Sequence, residues 1–494
     1  MVQRSDLSAR AASRCGADAT WKEPIVASRR FGSLILAVLV GAAAGVFGQD
    51  HPQTIDTIFK DFATDHSPGC TVGAARGDAP LAAKAYGLAD LEHNIPLTPQ
   101  SVFYMASVSK QFTALSILLL ERDGKLKLED RIRTYLPELP EYAAGITIRQ
   151  LLHHTSGLRD YLTLSGLAGN PPDQVITERS VLKALARQTR LNFEPGDEHL
   201  YSNSGYVLLS IIVHRVSGRP LDEFARERIF MPLGMRSTRF QHDHAAPIPG
   251  RAVGYVRRGS TWWIANSMLD VVGDGGMYST VDDMLRWAAA FERPEFSPLL
   301  SRMQQPGTLK NGSAIANGYG MGLSQGTYRG VPTVSHGGSL AGYRTNFVRL
   351  PGEKLTVVTL CNNATANVGR LTQMVTELYA PAGMSAPAAP AVAPTAAAPP
   401  QAPAQTAIPR ELGQALAGVY YSAELEATYR MVAGPDTVTL EMGNSAPVAL
   451  RLTRPDLLRT PQGLELRPVR DSSGRITGLT IRAGRVRDLA FIKR

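Results

Sequence analysis

A serine and a lysine three positions apart could form a nucleophile and its base. Ser107 and Lys110 stand just before the apolar run 112–120, which is typical of a buried helix. At the start of a helix, positions i and i+3 share a face, so the hydroxyl and the amine could exchange a proton. A lysine can act as such a base when its surroundings keep part of it neutral. The alternative is an N-cap serine followed by an exposed lysine.

Two more short motifs could contribute to the same chemistry. Tyr201 and Asn203 stand just before the apolar run 207–216, and the phenol could relay a proton, although tyrosines at helix entrances more often pack. The third motif lies between two strand-like segments, where its glycines would let a backbone approach a ligand closely. It reads His336-Gly337-Gly338-Ser339.

These motifs, in this order, resemble the three signature elements of the penicillin-recognising serine hydrolases. That family includes serine β-lactamases, D-alanyl-D-alanine carboxypeptidases, D-aminopeptidases and related esterases. Segments 146–158, 231–235 and 273–280 are similar to the class C branch of the family. The resemblance covers residues 50–380.

The resemblance implies a reaction through an acyl-enzyme. Ser107 would attack a carbonyl carbon, while Lys110 and Tyr201 would share the acceptance and transfer of its proton. The nearby ammonium would lower the pKa of the tyrosine. The backbone N–H groups of Ser107 and Ser339 would hold the oxyanion, and water would release the acyl group.

The same resemblance implies a set of substrate-binding residues. Asn203 would orient the lysine and the substrate amide, while His336, Gly338 and Ser339 would line the far wall of the site. β-Lactamases of the family usually carry a lysine where this chain has His336, and a neutral imidazole is a weaker anchor for a carboxylate. The difference favours peptidase or esterase activity. Arg344 could supply the missing charge, but we interpret it as a surface residue.

Composition and charge exclude several other classes. With 44% hydrophobic and 19% charged residues, the chain is typical of a globular protein with more than one domain. Its net charge of +9 is spread over 494 residues without a basic run interleaved with aromatics, so we expect no nucleic acid partner. No metal-ligand spacing is present, and His153 and His154 are interpreted as packing residues, so we expect no metal and no cofactor.

The N-terminal region predicts export. Residues 1–48 form a leader in which two arginines precede the uncharged run 31–48, as in a signal peptide or an uncleaved membrane anchor. Either alternative predicts a periplasmic or extracellular location. Cys15 lies in this leader, while Cys70 and Cys361 stand far apart in apolar, strand-like segments. We interpret the latter two as buried free thiols.

The order of helix-like and strand-like segments predicts an α+β fold. Strands at 69–75 and 81–88, helices through the middle, and strands at 343–350 and 354–360 indicate an antiparallel sheet built from both ends of one domain. Helices would flank this sheet, and an all-helical lobe would lie beside it. We expect the site in the cleft between sheet and lobe.

The chain divides into four predicted regions. The leader 1–48 is followed by a serine hydrolase domain over 49–380, an Ala/Pro-rich linker over 381–409 and a small all-β, barrel-like domain over 410–494. This last domain resembles the lipocalin-like domains behind some relatives. It shows no catalytic constellation, so a packing or shielding role is expected.

The sequence leaves two functions open. One is an exported serine hydrolase that cleaves an amide or ester, with a D-amino acid peptide, a β-lactam or a small ester as substrate. The alternative is a penicillin- or cell-wall-binding protein of the same fold with little turnover. The expected partner is accordingly a small molecule or a peptide, including cell-wall peptide.

Overall fold

A computed structural model of the chain describes residues 53–380, 384–385 and 407–494, apart from three single positions, Pro172, Asp436 and Asn444. The predicted leader and nearly all of the predicted linker lie outside these residues. The domain boundaries therefore stay predictions. Within the described residues, no helix is both long and apolar enough to cross a membrane.

The elements before the linker region alternate in the predicted manner, with strands at both ends and helices between them. The helices are α1 (Ile55–Ile58), α2 (Lys110–Arg122), α3 (Ile148–Leu152), α4 (Tyr161–Leu167), α5 (Glu178–Ala186), α6 (Asn203–Ser217), α7 (Leu221–Ala225), α8 (Met231–Leu233), α9 (Val281–Ala290), α10 (Ser297–Gln304) and α11 (Val368–Tyr379). The strands are β1 (Cys70–Arg76), β2 (Ala79–Tyr86), β3 (Leu88–Asp90), β4 (Ile95–Pro96), β5 (Phe103–Tyr104), β6 (Ile176–Thr177), β7 (Arg239–Phe240), β8 (Tyr255–Arg258), β9 (Thr261–Ile264), β10 (Leu269–Asp270), β11 (Met277–Ser279), β12 (Ser324–Tyr328), β13 (Val331–Leu340), β14 (Tyr343–Leu350) and β15 (Leu355–Cys361).

The central sheet joins the two ends of this region. Its six strands run in the order β12-β13-β14-β15-β1-β2, and each neighbouring pair is antiparallel. Helix α9 packs on one face and α11 packs against β14 and β15. Every residue of β15 is buried, as expected for a strand covered on both faces. The predicted α+β fold with a sheet built from both ends is confirmed.

The helical lobe is centred on α2 and α6, which pack against each other. Helix α2 is buried along residues 110–120 and α6 along residues 203–213, so both are core helices rather than surface helices. Gly218 caps the C-terminus of helix α6, and its left-handed conformation (φ 73°) suits a glycine. Lys110 and Asn203 are the first residues of the two helices, so both motifs lie at helix N-termini.

The predicted free thiols are wrong, because Cys70 and Cys361 form a disulfide. The two residues are 291 positions apart, which made them look unrelated in the sequence. Strands β1 and β15 are neighbours in the sheet, however, and their register places Cys70 directly opposite Cys361. The disulfide therefore links the two ends of the domain in the middle of the sheet.

The region after the linker forms one more helix and a closed barrel, which confirms the predicted small all-β fold. The helix is α12 (Arg410–Leu416). The barrel strands are β16 (Gly418–Ser422), β17 (Ala427–Ala433), β18 (Val438–Met442), β19 (Val448–Arg454), β20 (Leu457–Arg459), β21 (Glu465–Arg470), β22 (Ile476–Ala483) and β23 (Val486–Lys493). Side chains fill the barrel interior, where the rings of Tyr429 and Phe491 lie 4.3 Å apart.

The barrel packs against the helical lobe through one buried ion pair and one partly exposed ion pair. Arg159 donates to Glu424 at 2.8 Å, and the Arg159 side chain is fully buried. Arg487 makes a two-pronged contact with Glu198, with both distances 3.0 Å. A buried ion pair needs defined geometry to compensate for the loss of hydration, so the contact of Arg159 with Glu424 fixes the position of the barrel.

The disulfide should contribute measurably to stability. Because it closes a very long loop, the Cys70→Ala/Cys361→Ala double variant should be less stable by about 2–5 kcal/mol. We expect reductant to lower the urea unfolding midpoint of the wild-type protein toward that of the double variant. Reductant should leave the midpoint of the double variant itself unchanged, which serves as the control. Equal wild-type midpoints with and without reductant would contradict the disulfide.

Candidate active site

Ser107 lies on a tight turn between β5 and α2. The turn, Ala106–Ser109, is a 3-10 helix that leads directly into α2, and Ser107 is half-buried in it. Ala106 adopts φ 48°, a left-handed conformation that is uncommon for a residue other than glycine. Thr345 of β14 donates to the carbonyl of Met105 at 2.9 Å and so ties the turn to the sheet.

Lys110 lies beneath the serine, with its amine fully enclosed. Its Nζ donates to Oγ of Ser107 at 3.3 Å, to Oδ1 of Asn203 at 3.0 Å and to the backbone carbonyl of Asp274 at 2.6 Å. Burial lowers the pKa of Lys110 to about 8, although the carboxylates of Asp274 and Asp160 oppose the shift. The amine is thus held against the hydroxyl and is close to half neutral near pH 8.

Tyr201 lies on the other side of the amine, and its predicted low pKa is wrong. Nζ of Lys110 is 4.9 Å from the centre of the Tyr201 ring. Burial raises the pKa of Tyr201 well above its ordinary value, and the nearby Ser107 hydroxyl only partly opposes this rise. The cost of burying a phenolate therefore outweighs the effect of the ammonium. Tyr201 is a phenol that can donate a proton rather than a phenolate that accepts one.

Asn203 is held by a network at the N-terminus of α6. Its backbone N–H donates to Oδ2 of Asp160 at 2.8 Å. Asp160 is buried and caps α4 by accepting from the N–H of Thr163. His154 accepts from the N–H of Ser202 at 3.1 Å, and its ring lies 4.1 Å from that of Tyr201. His154 is therefore a packing and hydrogen-bonding residue, as the sequence predicts.

The third motif lies on β13 and faces the serine. Nδ1 of His336 donates to the Gly337 carbonyl at 2.7 Å, and Nε2 accepts from the Tyr319 hydroxyl at 3.2 Å. Burial and the charge of Lys110 lower the pKa of His336 to about 4, so its ring is neutral. A side chain at position 338 would meet the carbonyl of Met105 at 2.4 Å, which explains the glycine there.

One cavity of about 470 Å³ brings these groups together. Five of the seven predicted site residues line it, and Lys110 and Asn203 lie behind them, joined by the hydrogen bonds above. The lining consists of Ser107, Tyr201, His336, Gly337, Gly338, Ser339, Arg344, Thr345, Asn346, Val368, Gly369 and Arg485. A larger cavity of about 740 Å³ lies beside His153 and includes neither Ser107 nor Tyr201.

Sequence reasoning missed or undervalued several charged residues of the site. From its sequence position, Asp274 could either lie near the cleft or only fix a loop; the structure buries it beside Lys110, and burial raises its pKa to about 6. Its position within the glycine-rich segment 273–276 was the available signal. Arg344 lines the cavity and is not a plain surface residue. Arg485 comes from the barrel and had no local signal at all.

One acidic cluster in the described residues has the spacing of metal ligands. Asp243, His244 and Asp270 bring three ligand atoms within 4.8 Å of one another. Nδ1 of His244 already contacts Asp270 at 3.0 Å, and none of the three lines the cavity. The candidate active site itself is built from a hydroxyl, an amine, a phenol and backbone groups.

Comparison with known proteins identifies the class. The fold and the site define a serine hydrolase of the β-lactamase/DD-peptidase type. The Beta-lactamase family model matches residues 55–378, and the chain therefore belongs to the β-lactamase family.

Curated relatives include a penicillin-binding protein and several D-aminopeptidases. The chain is 33% identical over 330 residues to "Penicillin-binding protein 4*" of Bacillus subtilis (strain 168), a match that covers 64% of this chain and 72% of that protein. It is 31% identical over 310 residues to a "D-aminopeptidase" of Gluconobacter oxydans (strain 621H), covering 60% of this chain. This second match spans 56% of the D-aminopeptidase, which is less than two thirds of its length.

Solved structures share the fold. The octameric penicillin-binding protein homologue from Pyrococcus abyssi superposes with a TM-score of 0.58 at 20% identity, covering 89% of this chain and 99% of that one. The D-amino acid amidase from Ochrobactrum anthropi SV3 superposes with a TM-score of 0.55 at 25% identity, covering 66% of this chain and 97% of that one. The first likeness extends past the family match, so it includes more than the catalytic domain.

The lowered pKa of Lys110 predicts the pH dependence of the reaction. Only the neutral amine can accept the serine proton, so kcat/KM should rise about tenfold per pH unit up to about pH 8 and then level off. The negative charge of Asp274 holds the pKa of Lys110 up against the effect of burial. Its loss in Asp274→Asn should therefore lower the pKa of Lys110 further and move the rising part of the pH profile to lower pH. The measurement is kcat/KM for a neutral p-nitrophenyl ester, after subtraction of hydrolysis by Ser107→Ala.

The matched control for this profile is Asp243→Asn, because Asp243 is exposed and lies outside the cavity. The pH profile of kcat/KM for this control should coincide with that of the wild-type enzyme. If Asp274→Asn and Asp243→Asn give the same profile, Lys110 is not the titrating base.

Proposed function

We propose that this protein is an exported hydrolase that cleaves amide bonds in D-amino acid peptides, including cell-wall peptide, through an acyl-enzyme on Ser107. The observation that carries the proposal is the position of the Lys110 amine, which contacts both the Ser107 hydroxyl and Asn203 from a fully buried site. The named activities of the relatives, a D-aminopeptidase and a D-amino acid amidase, support an amide substrate with D-configuration.

In the proposed acylation, neutral Lys110 takes the proton of Ser107 as its oxygen attacks the carbonyl carbon. The backbone N–H groups of Ser107 and Ser339 stabilise the oxyanion. Tyr201, held as a phenol, then gives its proton to the departing nitrogen, and Lys110 returns the serine proton to Tyr201. This division of labour follows from the opposite pKa shifts of the amine and the phenol.

In deacylation, water attacks the acyl carbon and gives a proton to Lys110. Lys110 then passes this proton to the departing Ser107 oxygen, which restores the free enzyme. Asn203 orients the amine throughout, because Oδ1 accepts its hydrogen bond at 3.0 Å.

Export is part of the proposal and draws on two observations. The uncharged run 31–48 after two arginines favours a signal peptide or an anchor, although it lies outside the described residues. The disulfide between Cys70 and Cys361 supports an oxidising compartment, since such bonds are rare in the cytosol. A periplasmic or extracellular location agrees with both observations.

A second candidate is a penicillin-binding protein that turns over slowly, which the name of the Bacillus subtilis relative favours. Acylation would then be fast and water would release the acyl group slowly. The same catalytic groups serve both candidates, so turnover distinguishes them.

Replacement of the nucleophile tests the central claim. Ser107→Ala should lower kcat/KM for an acyl-D-Ala-D-Ala peptide by at least about three orders of magnitude. The matched control is Ser109→Ala in the same turn, whose hydroxyl donates to the Ala106 carbonyl and does not line the cavity. We expect this control to stay within about tenfold of the wild-type enzyme.

Intact mass spectra with a fluorescent penicillin complete this test. A lasting adduct on Ser107 without peptide turnover would support the slow binding protein. Equal and measurable turnover in wild type and Ser107→Ala, or neither turnover nor a penicillin adduct in the wild type, would eliminate both candidates.

The role of the phenol predicts a further result. Tyr201→Phe keeps the ring but removes the proton donor, so kcat should fall by about two to four orders of magnitude. Tyr206→Phe is the control, because the Tyr206 hydroxyl donates to the Leu152 carbonyl within the same core. A fully active and folded Tyr201→Phe protein would remove the phenol from the mechanism.

A further inference from the structure

The turn between strands β22 and β23 places a barrel residue in the active-site cavity. That residue, Arg485, has its guanidinium carbon 4.6 Å from the centre of the Tyr201 ring. Its own backbone carbonyl accepts from the side-chain amide of Asn192 at 3.0 Å, which fixes the turn against the catalytic domain. Arg485 thus lines one wall of the active-site cavity, although it belongs to the barrel and not to the catalytic domain.

The guanidinium of Arg485 has hydrogen-bond donors that are available to a ligand. Its closest carboxylate oxygen is Oδ2 of Asp160 at 3.5 Å, and that oxygen already accepts the N–H of Asn203 at 2.8 Å. Among the described residues, the Arg485 side chain donates no conventional hydrogen bond, and it is 40% exposed. A guanidinium carries five N–H donors in a planar fork, so Arg485 keeps donors that can serve a ligand in the cavity it lines.

The charge of the cavity lining favours an anion. Arg344 and Arg485 are the charged residues in it, and no aspartate or glutamate belongs to the lining among the described residues. Arg344 is already engaged, since its Nη1 donates to the carbonyls of Ala341 and Tyr343 at 3.1 and 2.7 Å. His336 is neutral and adds no charge. Among the described residues, Arg485 makes no such hydrogen bond to a carbonyl, and its charged partner is Oδ2 of Asp160 at 3.5 Å.

We propose that Arg485 binds a carboxylate of the substrate, so that the preferred substrates are amides or peptides that carry a free carboxylate. A planar fork matches a carboxylate with two parallel hydrogen bonds, and stacking on Tyr201 holds it in the required orientation. A substrate ammonium would be repelled at the same place. The inference rests on the proposed amide hydrolysis and adds the substrate's charge and the domain that recognises it.

The test compares two peptides that differ in one group, N-acetyl-D-Ala-D-Ala and its C-terminal amide. The wild-type enzyme should prefer the free acid by roughly 10- to 100-fold in kcat/KM, the range for a charge-assisted hydrogen bond pair. In Arg485→Gln, whatever the absolute rates, the ratio should fall to within about threefold of one. Arg485→Lys keeps the charge without the fork, so it should retain part of the ratio.

The matched control is Arg487→Gln, two residues further along the chain in strand β23. Arg487 pairs with Glu198 at the domain contact and does not line the cavity, so this variant weakens docking without changing the cavity charge. It should keep the wild-type ratio. If it loses the ratio as Arg485→Gln does, displacement of the barrel is the cause and the inference is overturned.

Binding measurements separate this inference from the proposed function. In the Ser107→Ala protein, calorimetry should give a Kd for the acid that is lower than that for the amide by about tenfold or more. Adding Arg485→Gln should abolish this difference. Such a difference without any turnover would sustain the inference and contradict the proposed function. Turnover that depends on Ser107, together with an unchanged ratio in Arg485→Gln, would support the proposed function and contradict the inference. No preference for the acid in either measurement, or no binding of either peptide, overturns the inference.

Discussion

The enclosure of the Lys110 amine is the constraint on which the rest of the site depends. Burying an ammonium away from water costs free energy, and this cost lowers the pKa of Lys110 to about 8. Three oxygens, from Ser107, Asn203 and the backbone of Asp274, still hold the amine in place. The same lack of water keeps Tyr201 protonated. One physical cause therefore produces both a base and an acid beside the nucleophile.

The core helices are what make this enclosure possible. Lys110 and Asn203 each begin a helix that is buried along most of its length, so neither residue can move toward solvent without disrupting the core. Strand β13 closes the opposite wall, and its glycine at position 338 lets the strand approach the Met105 carbonyl. Helices and a strand thus supply Lys110, Asn203 and the third motif and directly flank Ser107 and Tyr201, which suits a site that must stay pre-organised.

The barrel belongs to the active site as well as to the fold. The buried contact of Arg159 with Glu424 fixes it on the helical lobe, and Arg485 reaches over the Tyr201 ring. Arg485 also helps lower the pKa of Lys110. The expected packing role therefore does not fully describe this domain, because one of its turns lines the cavity that holds the nucleophile.

The sequence by itself determined the features that depend on short spacings and local pattern. The pair Ser107 and Lys110 is set by helix geometry, and the strands at both ends of the domain are visible in their apolar runs. The disulfide, the high pKa of Tyr201 and the place of Arg485 were decided only by the tertiary structure. Each depends on which distant segments lie side by side and how much water remains between them. Strand register brings Cys70 to Cys361, burial overrides the ammonium beside Tyr201, and domain docking carries Arg485 into the cavity.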